Sequence, residues 1–179
     1  MATKAKTKAN RSAERKSTRA QTANRKKDQQ QVNAFDLLEQ DHREVEEWLD
    51  EYDELKDSDD NRKAELARNI CLALKVHAQL EEEIFYPRAR EATKDHDLID
   101  ESLVEHATVK NLISEIEEME AGEELYDAKI RVLGEMVKHH IREEEEELFP
   151  EVQSAKLDLD ELGKELAEHK EELMSEMSA

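Results

Sequence analysis

Val137-Lys-His-His-Ile-Arg-Glu-Glu-Glu-Glu-Glu-Leu-Phe-Pro150 carries a histidine, a glutamate four residues later, a run of acids, and then an aromatic and a proline. An earlier stretch, Val76-His-Ala-Gln-Leu-Glu-Glu-Glu-Ile-Phe-Tyr-Pro87, repeats it: His77 falls on His140, Glu81 on Glu144, Tyr86 on Phe149 and Pro87 on Pro150. The match extends upstream, where Asp41-His42 is echoed by Glu105-His106, Val45 by Val109 and Leu49 by Ile113. One helical hairpin is therefore written twice, with a period of 63–64 residues, and such a duplication governs the fold that contains it.

Composition agrees with that reading. A chain of 179 residues suits one domain plus extensions. It is 41% charged with 3 Gly and 2 Pro, which points to long helices and few turns. No run approaches the roughly 18 apolar residues of a membrane helix, and the N-terminus lacks the apolar core of a secretory signal. The single cysteine, Cys71, excludes an internal disulfide and suits a reducing compartment, so the expected location is cytoplasmic. The net charge of −20 is unevenly spread: residues 1–27 hold ten Lys/Arg against one acid, Glu14, a local +9 that leaves −29 on the rest. Having no large apolar residue between Met1 and Val32, residues 1–32 are expected to form a disordered basic tail. Such a tail either stays solvated or makes non-specific contact with nucleic acid or another polyanion.

Beyond the tail, apolar spacing predicts four long helices and a shorter fifth. The first runs from about Asn33 to Lys56, with Leu38, His42, Val45, Leu49 and Tyr52 on one stripe. Asp57-Ser-Asp-Asp60 ends it and offers N-caps to the second, about Asn61 to Arg90. The stripe of the second is Leu66, Ile70, Ala73, His77, Glu81 and Ile84, and Pro87 should kink it or end it early. The third, about Asp97 to Ala121, turns Ile99, Leu103, His106, Val109, Ile113 and Ile116 inward and is capped by Gly122. The fourth, Glu123 to Phe149, does the same with Ile130, Leu133, Val137, His140, Glu144 and Leu148. Short connections make neighbours antiparallel, giving an all-α, up-down-up-down four-helix bundle over residues 33–152. Residues 153–179 hold an amphipathic helix, through Leu159, Leu162 and Leu166, that packs outside it.

Six chemistry-bearing residues occupy the apolar stripes: His42, His77, Glu81, His106, His140 and Glu144. A buried carboxylate is costly unless it is paired or binds a metal. The six also fall at one height. From the turn near Ser58, His42 lies 16 residues back and His77 19 on; from Gly122, His106 lies 16 back and His140 18 on. At about 1.5 Å per residue these depths differ by only about 3–5 Å. Four imidazoles and two carboxylates, with no thiolate, exceed one closed zinc site and suit a pair of iron or manganese ions. By the repeat, His42 and His77 would hold one ion and His106 and His140 the other, with Glu81 and Glu144 bridging. The acids Glu82, Glu83, Glu143, Glu145, Glu146 and Glu147 read as a solvated face, and His96, His139 and His169 as outside the site.

The pattern His42…His77-x-x-x-Glu81…His106…His140-x-x-x-Glu144, with an aromatic-proline pair after each acidic run, resembles the hemerythrin-like (HHE cation-binding) family over about residues 33–152. The resemblance implies a non-haem centre of two Fe ions, an oxo-bridged di-iron pair with Mn the lesser alternative, open to O2 or peroxide. Two positions depart from oxygen-carrying hemerythrins. Lys110 stands where they have a further histidine one turn after His106, and His140-x-x-x-Glu144 replaces their His-x-x-x-x-Asp ending. Fewer imidazoles favour peroxide chemistry or iron sensing over reversible O2 carriage. Glu46, the repeat counterpart of Lys110, would pair with it or supply an extra ligand, or both would be ordinary polar side chains at the stripe edge. Three functions are compatible with the pattern: a di-iron protein that binds or senses O2 or iron, a di-iron oxidoreductase that decomposes peroxide, and a metal-free bundle whose tail binds polyanions.

Overall fold

A computed structural model describes residues 32–55, 59–94 and 96–177. The first helix, α1 (Ala34–Glu54), starts where Asn33 caps it, the Asn33 side chain accepting a hydrogen bond from the Phe35 N–H at 3.0 Å. After it come α2 (Asp60–Leu80), a π-helical turn (Glu81–Phe85) and α3 (Tyr86–Ala92), continuous with one another. The second repeat comprises α4 (Asp97–Glu117), α5 (Tyr126–Glu143), a second π-turn (Glu144–Leu148) and α6 (Phe149–Ser154). The C-terminal helix α7 spans Leu159–Met177. Packing of α1 on α2, α2 on α4, α4 on α5 and α5 on α1 closes the four-helix bundle. Among the described residues no helix is long and apolar enough to cross a membrane.

Several expectations are corrected in detail. Pro87 does not end its helix; the chain passes through a wider turn and continues to Ala92. Asp59 stands at the N-cap of α2 but its side chain makes no capping hydrogen bond, while Asp57 and Ser58 lie outside the described residues. The third helix stops at Glu117, and the link to α5 turns through left-handed backbone at Gly122 (φ 93°) and Leu125 (φ 74°). Residues 1–31 of the expected basic tail lie outside the described residues.

The apolar stripes meet in two clusters. One gathers Val45, Leu49, Leu66, Ile70, Leu74, Val109, Ile113, Ile130, Leu133 and Val137. The other gathers Leu38, Leu80, Phe85, Tyr86, Ile99, Leu148 and Phe149 with Leu162, Leu166 and Leu173 of α7. In each helix the predicted site residues fall between the segments that feed these clusters, so polar groups form a layer sealed above and below by hydrocarbon. Burial of this much apolar area drives the fold and keeps water from the layer. The fifth helix packs on the outside of α1 and α2, as expected. There Gly163 lets the backbones touch: a Cβ at that position would stand 1.9 Å from the Val32 carbonyl oxygen.

Leu103 departs from its predicted place. It is 38% exposed, and Ser102 turns inward instead, its hydroxyl donating to the Leu98 carbonyl at 2.8 Å. The small serine lies beside the Tyr86 hydroxyl, where a leucine would crowd the ring. Leu74 is buried in the core beside Ala73, which is partly buried and packs against the same cluster.

Candidate metal centre

The two π-turns begin at the two glutamates of the repeat. In each, the N–H five residues on donates to the glutamate carbonyl: Tyr86 to Glu81 and Phe149 to Glu144. A proline comes two residues after each turn ends, Pro87 after Phe85 and Pro150 after Leu148, with no N–H to offer and a ring that would clash with the carbonyl four residues back in a regular α-helix. The wider turn relieves that clash and shifts the helical phase of the residues beyond it. Phe85 and Tyr86 are therefore fully buried, while Ile84, assigned inward by a 3.6-residue period, is only half-buried.

All six predicted site residues are buried and converge. The imidazoles face one another in pairs, His42 Nε2 standing 3.1 Å from His77 Nε2 and His106 Nε2 3.2 Å from His140 Nε2. Glu81, fully buried, divides its oxygens between the pairs: Oε1 lies 3.1 Å from His77 Nε2, and Oε2 3.3 Å from His106 Nε2 and 4.0 Å from His140 Nε2. Glu144 Oε2 lies 3.4 Å from His42 Nε2 and 3.8 Å from His140 Nε2. Donor atoms of His42, His77, Glu81 and Glu144 lie within 4.8 Å of one another, as do those of Glu81, His106 and His140.

Each imidazole is backed by a carboxylate on its outer nitrogen. His42 Nδ1 meets Glu145 at 2.7 Å, His106 Nδ1 meets Glu82 at 3.0 Å and His140 Nδ1 meets Glu105 at 2.9 Å. His77 Nδ1 faces Asp41 Oδ2 across 3.5 Å, an ion-pair separation rather than a hydrogen bond. The order is cyclic, because each ring is steadied from the preceding helix of the bundle: α1 backs α2, the first π-turn backs α4, α4 backs α5, and the second π-turn backs α1. Glu82 and Glu145 are thus part of the site and not the solvated face expected of them. Glu146 and Glu147 are exposed as expected. The signal for the four backing acids was present as the duplicated acid-histidine and Glu-Glu pairs, but only the packing reveals which ring each serves.

Three cations hold these acids. Arg43 pairs with Glu145, Lys110 with Glu82 at 2.6 Å and Lys170 with Asp41. Glu46 pairs with Arg43 and Lys110 with Glu82, and among the described residues Glu46 is not one of the converging groups; of the alternatives weighed for these two residues, the structure shows ordinary polar side chains rather than a mutual pair or an extra ligand. His96 bonds the Arg90 carbonyl, and His169 bonds Glu83. His139 lies with Glu105 and Glu143 at the surface. All three stay out of the inner cluster, as expected.

The electrostatics of the cluster ask for cations. Acceptors on the outer nitrogens favour a proton on Nδ1, so Nε2 is the atom each ring turns toward its partner ring and the two buried carboxylates, and the atom a metal would take in place of any proton there. Among the described residues, Glu81 Oε1 and both oxygens of Glu144 have no hydrogen-bond partner. Burial pushes the His77 imidazolium down, but the charge of Glu81 and the neighbouring Asp41 more than offset it and hold the pKa up at about 10. His140 is likewise held well above the ordinary range against its burial, by Glu105 and Glu81. Burial raises Glu81 too, yet the surrounding histidines hold it well below the usual carboxylate range. Glu144 is pushed up by burial and by the charge of Glu81. Nitrogen pairs about 3.1 Å apart match two adjacent ligands of one ion with bonds of about 2.1 Å. The residues present fit bound metal.

Tyr86 adds a group to which helical spacing alone assigned no role. Its hydroxyl lies 3.3 Å from Glu81 Oε2 and 3.5 Å from His106 Nε2. Beside the centre a cavity of about 30 Å3 is walled by Val45, Leu74, Val109, Val137 and Ile141 and reaches the four imidazoles.

A family model, that of the Hemerythrin HHE cation binding domain, matches residues 33–152. A solved Hemerythrin HHE cation binding domain-containing protein from Mycobacterium kansasii has a TM-score of 0.69 with this chain at 24% identity. That match covers 81% of this chain and 89% of the other, a likeness of fold. A DNA nickase from Nostoc sp. is 30% identical over 128 residues, which are 71% of this chain and 35% of the nickase. The chain spans about a third of the length of that relative.

Proposed function

The chain belongs to the hemerythrin HHE cation-binding domain family, and on that premise we propose that it is a non-haem di-iron protein that binds O2 or senses oxygen or iron. The observation that carries this reading is Glu81, whose two oxygens each face a different imidazole pair from a fully buried position. His42, His77, His106, His140, Glu81 and Glu144 would hold the ions. Four imidazoles without a thiolate favour iron, and manganese is the lesser candidate. The iron pair, when bound, supplies redox equivalents and open coordination positions.

The chain's own residues prepare the site. Outer carboxylates orient the rings and raise their basicity. The apolar cavity admits a molecule of two heavy atoms, since one water needs about 10–15 Å3 of such space. Lys110, drawn onto Glu82, supplies no nitrogen to the His106–His140 half, which supports a more open ion there than in an oxygen carrier. Metal content and absorption of protein purified without added metal test the proposal. About two irons per chain, with near-ultraviolet charge-transfer bands that vanish in His77→Ala, are expected; a metal-free protein whose thermal stability ignores added iron would sink it.

Peroxide decomposition is the second reading, supported by the Tyr86 hydroxyl beside Glu81. Sustained O2 release from peroxide separates it from simple binding. For residues 1–32 we propose non-specific polyanion contact, supported by the +9 charge of residues 1–27 and by the DNA nickase among the relatives. Binding to duplex DNA that survives chelation and falls steeply with salt is expected. The reading fails if removing the tail leaves that binding intact.

A further inference from the structure

We infer that Lys170, on the C-terminal helix, is a positioning residue of the metal centre: it holds Asp41 against His77, so one half of the site depends on a helix outside the bundle. The inference rests on the di-iron reading above. It concerns a segment beyond residues 33–152, where the family match ends.

Lys170 stands four residues after Leu166 and three before Leu173, on the stripe that α7 buries. An apolar residue is expected there, because an ammonium drawn toward a core must find an anion. It finds Asp41 Oδ1. Leu162, Leu166 and Leu173 anchor the helix, and Gly163 allows its backbone to reach Val32, so the lysine is presented from a fixed frame.

Asp41 joins this lysine to the centre. Its side chain is 8% exposed, and its second oxygen faces His77 Nδ1 at 3.5 Å. A ring that ligates through Nε2 is neutral, so it cannot balance the aspartate charge. Among the described residues Lys170 is the lysine or arginine paired with Asp41. Without it, a buried carboxylate has reason to turn toward solvent and leave the ring unsupported.

The other backing acids set the comparison. Glu145 and Glu82 receive their cations from within the bundle, through Arg43 and Lys110. Glu105, the repeat counterpart of Asp41, pairs with no lysine or arginine among the described residues. The C-terminal helix therefore breaks the twofold pattern of the duplicated hairpin and makes the two halves unequal, with the His42–His77 half bearing the added support.

Anaerobic titration of the metal-free full chain with ferrous iron, against a competing chelator, reads this directly. Wild type takes up two equivalents. In Lys170→Met, which keeps the aliphatic stem, one equivalent binds as in wild type and the other about tenfold more weakly, the lower end of what outer hydrogen-bond partners contribute. Lys170→Arg restores it. Arg88→Met, which removes the ion pair that Arg88 of α3 makes with Glu165 of α7 and leaves Lys170 in place, binds as wild type. Two unaltered equivalents in Lys170→Met, or an equal loss in Arg88→Met, overturn the inference and leave the di-iron reading standing. A wild-type chain that takes up no iron overturns both.

Discussion

Tyr86 and Phe149 occupy matching positions in the two repeats and differ by one oxygen atom. That oxygen lies within 3.5 Å of both Glu81 and His106. Burial first, and then the charges of Glu144 and Glu81, push its ionisation well above the ordinary phenol range, so it keeps its proton in neutral water. A retained proton beside the proposed iron pair would suit bond cleavage in peroxide. Tyr86→Phe is therefore expected to keep two irons per chain and to slow peroxide decomposition about 100-fold, as loss of a positioned acid does. An unchanged rate would remove Tyr86 from that role. His77 gives the pH dependence. With its folded pKa raised from 6.5 to about 10, the metal-free chain gains stability that is fully present below pH 6.5. That contribution is lost as pH rises through 10. Near pH 7.5 a metal must displace this proton, so affinity rises with pH and binding acidifies a weakly buffered solution. Calorimetry in buffers of different ionisation enthalpy should count at least one proton released. Identity and spacing made the six converging residues legible in the sequence. The phenol was visible only as a difference between repeats, because its approach to Glu81 depends on a turn that a regular helical period cannot anticipate.

The π-turns are the elements on which the site is built. Each starts at a converging glutamate and is followed by an aromatic residue and a proline. Replacing both prolines restores two backbone donors and removes the ring clash that favours the wide turn. Pro87→Ala with Pro150→Ala should leave the metal-free chain as stable as wild type or raise its Tm, while iron affinity falls about tenfold or more. Chelator competition together with thermal melts checks both halves of that expectation. A variant that binds iron as wild type does would show that the glutamates alone hold the turn open. The four long helices were legible because their stripes repeat at 3.6 residues and their depths can be counted from the turns. Leu103 and Ile84 were misplaced for one reason: each lies opposite or within a π-turn, where the local phase is set by ring packing of Tyr86 and Phe85 and not by periodicity.

At the scale of the molecule, a duplicated hairpin is closed on one side by a helix that the repeat does not contain. Gly163 is where that helix meets the start of α1, and the Val32 backbone oxygen cannot move aside as a flexible side chain could. Gly163→Ala should cost about 1–3 kcal/mol, the usual range for overpacking, and lower the iron affinity of one half-site as Lys170 withdraws. Thermal melts and iron titration of the same variant test the link; lost stability with wild-type iron binding would break it. Residue order alone was enough to specify the helices, their pairing and the six residues that converge. These depend on local spacing and on a repeat that places equivalent residues at equivalent depths. Three-dimensional packing was needed to decide which acid stands behind which imidazole, which cation holds each acid, and that α7 reaches the centre. Those contacts join side chains up to 129 positions apart, and their partners are chosen by how the helices approach one another, a property that no single helix carries in its own sequence.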